Sequence, residues 1–240
     1  MTEFNLDGVV PWGRSAEEYV SFFALSGLPH ATRILDCGGG PSSFTIEMTQ
    51  RGFHAVSADP LYGLEREAIE ERMRRARLSI LDGITKAHDR FVWRFLKDPE
   101  AAVAHRMATM ERFLADYDSG RAAGRYVEAA LPALPFPDRA FDLTLSSHVL
   151  FLYDHLFDLT FHLTSIREML RVGSEARIFP ILDLGGNRSS LVEPVCQALR
   201  AEGFEVSIDA VPYEFQKGGN QMMRVSRRSR PKVTAGQEPG

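Results

Sequence analysis

Residues 34–43 read ILDCGGGPSS, and this stretch decides the fold. Ile34 and Leu35 open an apolar strand that ends on Asp36 and Cys37 and runs straight into Gly38, Gly39 and Gly40. A glycine-rich turn after a strand lets a ligand approach main-chain atoms that a Cβ would block. A helix is predicted from about 43 to 51, closing at Gly52, and HAVSADP (54–60) reads as a second strand ending at Asp59. Strand, helix and strand joined this closely imply parallel pairing through a right-handed crossover.

Working outward, Ser15 and Glu18 form a capping box for a first helix that carries Tyr19, Phe22 and Phe23 on one face and stops at Gly27 before Pro29. Downstream, residues 64–118 turn helical without a strand signal. Asp98 and Pro99 start a helix with Val103, Met107, Met110, Phe113, Leu114 and Tyr117 on one face until Gly120. That is too long for a connection and reads as an inserted helical layer. Alternation then resumes with YVEAA, FDLTLSS, a helix over 161–171, ARIFPILDL, a helix over 190–201, FEVSIDAV and NQMMRVSR. The expectation is one α/β domain over 1–226, Rossmann-like and doubly wound, with a basic, apolar-poor and disordered tail over 227–240.

The chain has 240 residues, 44% hydrophobic and 25% charged, enough to bury a sizeable core. A net charge of -4 supplies no general field for gripping nucleic acid. Two cysteines, Cys37 and Cys196, make neither a disulfide framework nor a metal-type spacing. The N-terminal MTEFNLDGVVPWG has no basic region followed by an apolar run, and no stretch approaches the roughly 20 apolar residues of a membrane span, so a cytoplasmic protein is expected.

Two nucleotide-type ligands compete for the glycine turn. A dinucleotide fingerprint wants a third glycine where Ser43 stands. Asp36 would repel a pyrophosphate, yet it suits a ligand bearing an ammonium and a sulfonium. Asp36, Gly38 and Gly40 resemble the acidic-x-Gly-x-Gly first motif of the class I S-adenosylmethionine-dependent methyltransferases. The resemblance extends to LPFPDRAFDLTLSSHVL (134–150), similar to the fourth-strand segment of small-molecule methyltransferases, and to IREMLRVGSEARIFPILD (166–183), similar to the helix and strand that follow.

This resemblance implies a mostly parallel seven-stranded sheet with an antiparallel last strand, and S-adenosylmethionine as cofactor. It places Asp59, beside Pro60, on the ribose hydroxyls, with Gly39 and Ser146 also in the cofactor site. Ala130 and Leu131 stand where the family has an Asp near the adenine, so backbone and apolar contacts are expected there. Arg14, in the VPWGRS turn, is expected on the methionine carboxylate. No Asp/Asn-Pro-Pro-Tyr stretch follows the fourth strand, where Ser146, Ser147 and His148 stand, which argues against DNA-base and glutamine N-methylation.

What remains is methyl transfer to oxygen, nitrogen or carbon of a small-molecule acceptor. His148 is the candidate general base, against the alternatives of orienting a loop or binding cofactor. Trp93 and Tyr153 are candidate acceptor-binding residues; Asp183, Tyr213 and Glu214 stand at neighbouring loop ends. His148, His155 and His162 recur every seventh residue, but seven helical residues rise about 10.5 Å while zinc takes nitrogens at about 2.1 Å, so no metal is expected. Arg72, Arg74, Arg75 and Arg77 read as a solvated face paired by Glu70–Arg74 and Glu71–Arg75, with RNA or an acidic substrate as the alternative. Phe91 and Phe95 at i,i+4 favour packing, which leaves Trp93 freer to line a pocket. The insertion is expected to act as a lid beside the cofactor, or as a homodimer surface through Met110 and Phe113. The rival functions are an RNA or protein methyltransferase and a non-catalytic S-adenosylmethionine sensor or assembly protein.

Overall fold

Residues 34–37 and 143–147 lie side by side in the middle of the sheet and are buried on both faces, which is why neither stretch alternates polar with apolar. The computed structural model describes residues 12–227, with backbone alone for 78–80. Its strands are β1 (Arg33–Cys37), β2 (His54–Ala58), β3 (Tyr126–Val127), β4 (Phe141–Ser147), β5 (Gly173–Phe179), β6 (Phe204–Ala210) and β7 (Gln221–Arg227). They form one sheet in the order β3-β2-β1-β4-β5-β7-β6, parallel throughout except for β7, which runs antiparallel to both β5 and β6. This is the expected Rossmann-like, mostly parallel seven-stranded arrangement with an antiparallel last strand.

The helices among the described residues are α1 (Ala16–Phe22), α2 (Phe44–Gln50), α3 (Arg66–Lys86), α4 (Pro99–Ala122), α5 (Leu159–Val172) and α6 (Val192–Ala201). Ser15 and Glu18 close their capping box, Asp98 Oδ1 accepts from Ala101 N, and Asp158 Oδ1 accepts from Phe161 N, each satisfying an otherwise orphaned amide. α1 stops at Phe22, short of Gly27, because the chain turns to sink both Phe22 and Phe23 against Phe179. α4 continues through Gly120, which is no terminator: a Cβ there would collide with the Tyr126 ring.

The insertion differs from expectation in three ways. Residues 88–98 are a connector, not a helix face: Phe91 bridges to Gln216, Val92 N donates to Phe215 O at 2.7 Å, and Lys217 N donates to Arg90 O at 2.9 Å. Phe91 accordingly stacks on Phe215 with centroids 4.7 Å apart, while Phe95 meets Tyr213 edge-on at 5.6 Å. Second, Met110, Phe113 and Tyr117 are fully buried against Leu61, Tyr62, Ile69, Met73 and Tyr126, so the face expected to join a second subunit is covered by the chain itself. Third, Glu71 takes both Arg74 and Arg75, and among the described residues Glu70 makes no pair with Arg74. Both arginines stay largely exposed, as a solvated face requires.

Arg227, expected to open the tail over 227–240, is instead the last residue of β7 and pairs with Phe204; the remaining 228–240 lie outside the described residues. No helix among the described residues is long and apolar enough to cross a membrane.

Candidate functional site

The end of β1 delivers Asp36 into a site closed off from solvent. Tyr19 Oη donates to Asp36 Oδ2 at 3.0 Å and Ser57 Oγ does so at 3.2 Å, while Oδ1 has no partner. Burial, which disfavours the charged form, pushes this carboxyl up to about 7. The three glycines serve separate purposes. Gly38 and Gly40 adopt φ of 79° and 54°, the left-handed region. At Gly39 a Cβ would come within 2.6 Å of Asp36 Oδ2 and 2.7 Å of Ser57 Oγ. A Cβ at Gly40 would meet nothing within 4 Å, so the open side of the turn lies there.

Asp59 follows β2 and ties the glycine turn to the next turn, accepting from Gly40 N at 2.9 Å and from Leu61 N at 2.8 Å. Burial pushes it up to about 6, against the opposing pull of those two amides. Pro60 opens the 3₁₀ turn that Asp59 caps.

The segment before α1 lies over the same region, because Ser43 N and Ser42 Oγ both donate to Arg14 O. Arg14 Nη1 donates to Trp12 O at 3.2 Å, Nε has no partner, and no carboxylate pairs with Arg14 among the described residues. Burial and then the nearby Arg106 lower its pKa to about 10. The neighbouring carboxylate, Glu18, is fully buried and already committed: Arg106 Nη1 at 2.5 Å, Tyr213 Oη at 2.9 Å, Ser15 N at 3.0 Å and His105 Nε2 at 3.0 Å surround it. Burial opposes the Glu18 charge, but Arg106 and His105 outweigh it and hold the carboxyl well below its usual range.

His148 follows β4 with φ of 56°, uncommon for a residue carrying a Cβ and shared with Ala24, Ala31 and Arg139. Its N donates to Phe179 O at 2.6 Å, its Nδ1 lies 2.9 Å from Ser147 Oγ, and Phe22 and Phe179 meet the ring edge-on. Burial, then Arg14 and Arg106, lower its pKa well below 6.5, so the imidazole is neutral. Ser146 is fully buried with an unpartnered hydroxyl.

Arg14, Asp36, Gly38, Gly39, Gly40, Asp59, Pro60, Ser146 and His148 therefore gather at the carboxyl ends of β1, β2 and β4, where a parallel α/β sheet binds its ligands. Ala130 and Leu131 follow β3; Ala130 O accepts from Ala133 N, and Leu131 is buried in the main core. Tyr153 is likewise a core residue, in the 3₁₀ turn after β4. Trp93 stacks on His88, meets Phe215 edge-on and donates from Nε1 to His88 O. Asp183 and Glu214 hold turns, accepting from Asn187 N and Gly218 N. Among the described residues no group of three or more His, Cys, Asp or Glu is placed to hold a metal.

Sequence reasoning missed Tyr19 and Arg106 as site residues and saw Glu18 only as a cap. Arg106 carried a signal: it is a charge on the buried stripe of α4, beside Val103 and Met110, where an unpaired cation would be costly.

No protein-family profile matches the chain. An uncharacterized protein of Methanocaldococcus jannaschii, MJ0045, is 34% identical over 231 residues, covering 95% of this chain and 100% of that one. The chain belongs to the MJ0045 family. Among solved structures it is similar to magnesium protoporphyrin IX methyltransferase from Synechocystis PCC 6803 with bound SAM, at 12% identity, 89% and 78% coverage and a TM-score of 0.46. It is also similar to a SAM-dependent methyltransferase of Aquifex aeolicus, at 14% identity, 88% and 87% coverage and a TM-score of 0.42. These likenesses are too distant to carry an activity over to the MJ0045 family.

Proposed function

We propose that the chain is a single-domain enzyme that binds S-adenosylmethionine and transfers its methyl group to a nucleophile on a small-molecule acceptor. The observation that carries this reading is two buried polar atoms with unspent hydrogen-bonding capacity on an acidic and a basic side chain, Asp36 Oδ1 and Arg14 Nε. Each is costly alone, and a ligand bearing both an ammonium and a carboxylate satisfies both. The amino-acid end of S-adenosylmethionine is such a ligand. Asp59 beside Pro60 would then hold its ribose and the backbone of Ala130 and Leu131 its adenine, with the unpartnered Ser146 hydroxyl also available to it.

Bound there, the cofactor supplies an activated methyl on a sulfonium. An acceptor nucleophile that took this methyl would have a proton to lose. His148 would be the group to take that proton: it is neutral, with its ring held between Phe22 and Phe179, although burial, Arg14 and Arg106 disfavour its imidazolium. The rest of catalysis is positioning and exclusion of water.

Calorimetry with S-adenosylhomocysteine tests the reading. The wild-type protein is expected to bind, and Arg14→Ala and Asp36→Asn each to lose tenfold or more, about 1.4 kcal/mol, while remaining folded. No binding by the folded wild type sinks it. With an acceptor in hand, His148→Gln is expected to lower kcat about 10² to 10⁴-fold with cofactor affinity little changed.

A further inference from the structure

Two cavities of similar size lie at opposite ends of the strands. One, of about 370 Å³, is lined by Pro29, Thr32, Asp142 and Arg177 at the amino ends, away from the glycine turn. The other, of about 380 Å³, lies between α1, the 88–98 connector and the connection from β6 to β7. β6 is antiparallel to β7, which is antiparallel to β5, so the β6–β7 connection leaves the sheet at the carboxyl ends, the edge that carries Gly38 to Gly40 and His148. A volume of this order suits a small molecule.

Its wall has a definite chemistry. Val92, Arg94 and Phe95 come from the connector, Tyr213 and Glu214 from the β6–β7 connection, and Ser21 from α1. The connector turns at residues 93 and 94, so Val92, the exposed Arg94 and Phe95 line the cavity while Trp93 packs on His88 and Phe215. Arg94 has no ion-pair partner among the described residues, whereas Glu214 spends Oε1 on Gly218 N. Phe95 and Tyr213 add two rings in edge contact.

Tyr213 is the partition between this cavity and the methyl-transfer site. Tyr213 lines the cavity, and its ring also meets Phe22 at 5.4 Å and Phe179 at 6.0 Å, the two rings that flank His148. Its hydroxyl is held by Glu18 Oε1.

We propose that this cavity is the acceptor site, and that it takes a planar small-molecule anion such as an aromatic carboxylate, its ring against Phe95 and Tyr213 and its anionic group on Arg94. The assignment rests on the methyltransferase reading above. It makes the inserted layer part of the acceptor site through residues 92, 94 and 95, in place of Trp93. A guest reaches the methyl-transfer site once the Tyr213 ring turns aside, breaking its bond to Glu18.

The test titrates 4-hydroxybenzoate and, separately, its neutral analogue 4-hydroxybenzamide into the full-length protein by ligand-observed NMR, with and without saturating S-adenosylhomocysteine. The acid is expected to bind at least fivefold tighter than the amide. Arg94→Ala should erase that preference without changing S-adenosylhomocysteine affinity, and Phe95→Ala should weaken both probes. Equal binding of acid and amide, or an acid preference that survives Arg94→Ala, overturns the inference while leaving the cofactor reading intact. An Arg94-dependent acid preference in a protein that fails to bind S-adenosylhomocysteine supports the anion site and overturns the methyltransferase reading instead.

Discussion

Tyr19 on α1 donates to Asp36 Oδ2 across 3.0 Å, joining the first helix to the carboxylate at the end of β1. The bond takes one oxygen of the carboxylate and leaves the other, Oδ1, as the unpartnered acceptor. Protonation of Asp36 therefore governs what the site can hold.

The first prediction concerns pH. Asp36 and Asp59 have folded values raised to about 7 and about 6, so the native state keeps protons that an unfolded chain, titrating near 4, has already released. Their contribution to stability is present below about pH 4 and is lost as pH rises toward 7. Ligand binding runs the other way, because an ammonium requires the ionised Asp36. S-Adenosylhomocysteine affinity is expected to rise between pH 6 and 8 in the wild type and to rise less in Asp36→Asn, where Asp59 alone of the two still titrates. Calorimetry at several pH values decides it; identical profiles would remove Asp36 from the ammonium site.

Asp59→Ala should do two things at once. It removes the acceptor for Gly40 N and Leu61 N, so stability is expected to fall by about 1 to 3 kcal/mol. It also removes a charged partner for the ribose, so affinity should fall by about 1.5 to 3 kcal/mol. Thermal melting and calorimetry on one preparation read both, and a variant unchanged in stability would contradict the role assigned to Asp59 in the turn.

Glu18→Leu leaves Arg106 buried without a counter-ion, a loss expected to cost about 3 to 5 kcal/mol in urea unfolding. Replacing Arg106 by Met in the same chain should recover part of that loss, since neither charge is then stranded. A single variant as stable as wild type would show that the pair contributes little.

Two helix-interior glycines should respond in opposite directions to alanine. Gly83 in α3 has open space around the added Cβ, so Gly83→Ala should stabilise by about 0.5 to 1 kcal/mol. In α4 the Tyr126 ring occupies that space, so Gly120→Ala should destabilise despite the gain in helix propensity. Paired thermal melts check the contrast.

The glycine turn, β1 and β4 were legible because turn chemistry punctuates them: Asp36 before Gly38, and His148 after a run of buried residues. The Glu18–Arg106 pair was not, since its partners lie 88 residues apart and no local pattern reports such a contact. A still longer separation hid the pairing of Phe91 with Gln216, which turned an apparent helical i,i+4 spacing of Phe91 and Phe95 into a non-helical connector. Gly120 misled for a different reason: a missing side chain reads as a terminator locally, but here it makes room for a ring brought in by β3.

The Glu18 carboxylate bears on any attempt to shorten this scaffold. Two of its four donor residues, Arg106 and His105, come from the inserted layer, and a third, Tyr213, from the far end of the chain. Excising residues 64–118 and splicing the ends would leave a minimal sheet with a carboxylate sealed inside it and no cation bonded to it. The insertion is therefore no removable ornament, and a shortened chain would need Glu18 replaced by an apolar residue before it could be expected to fold.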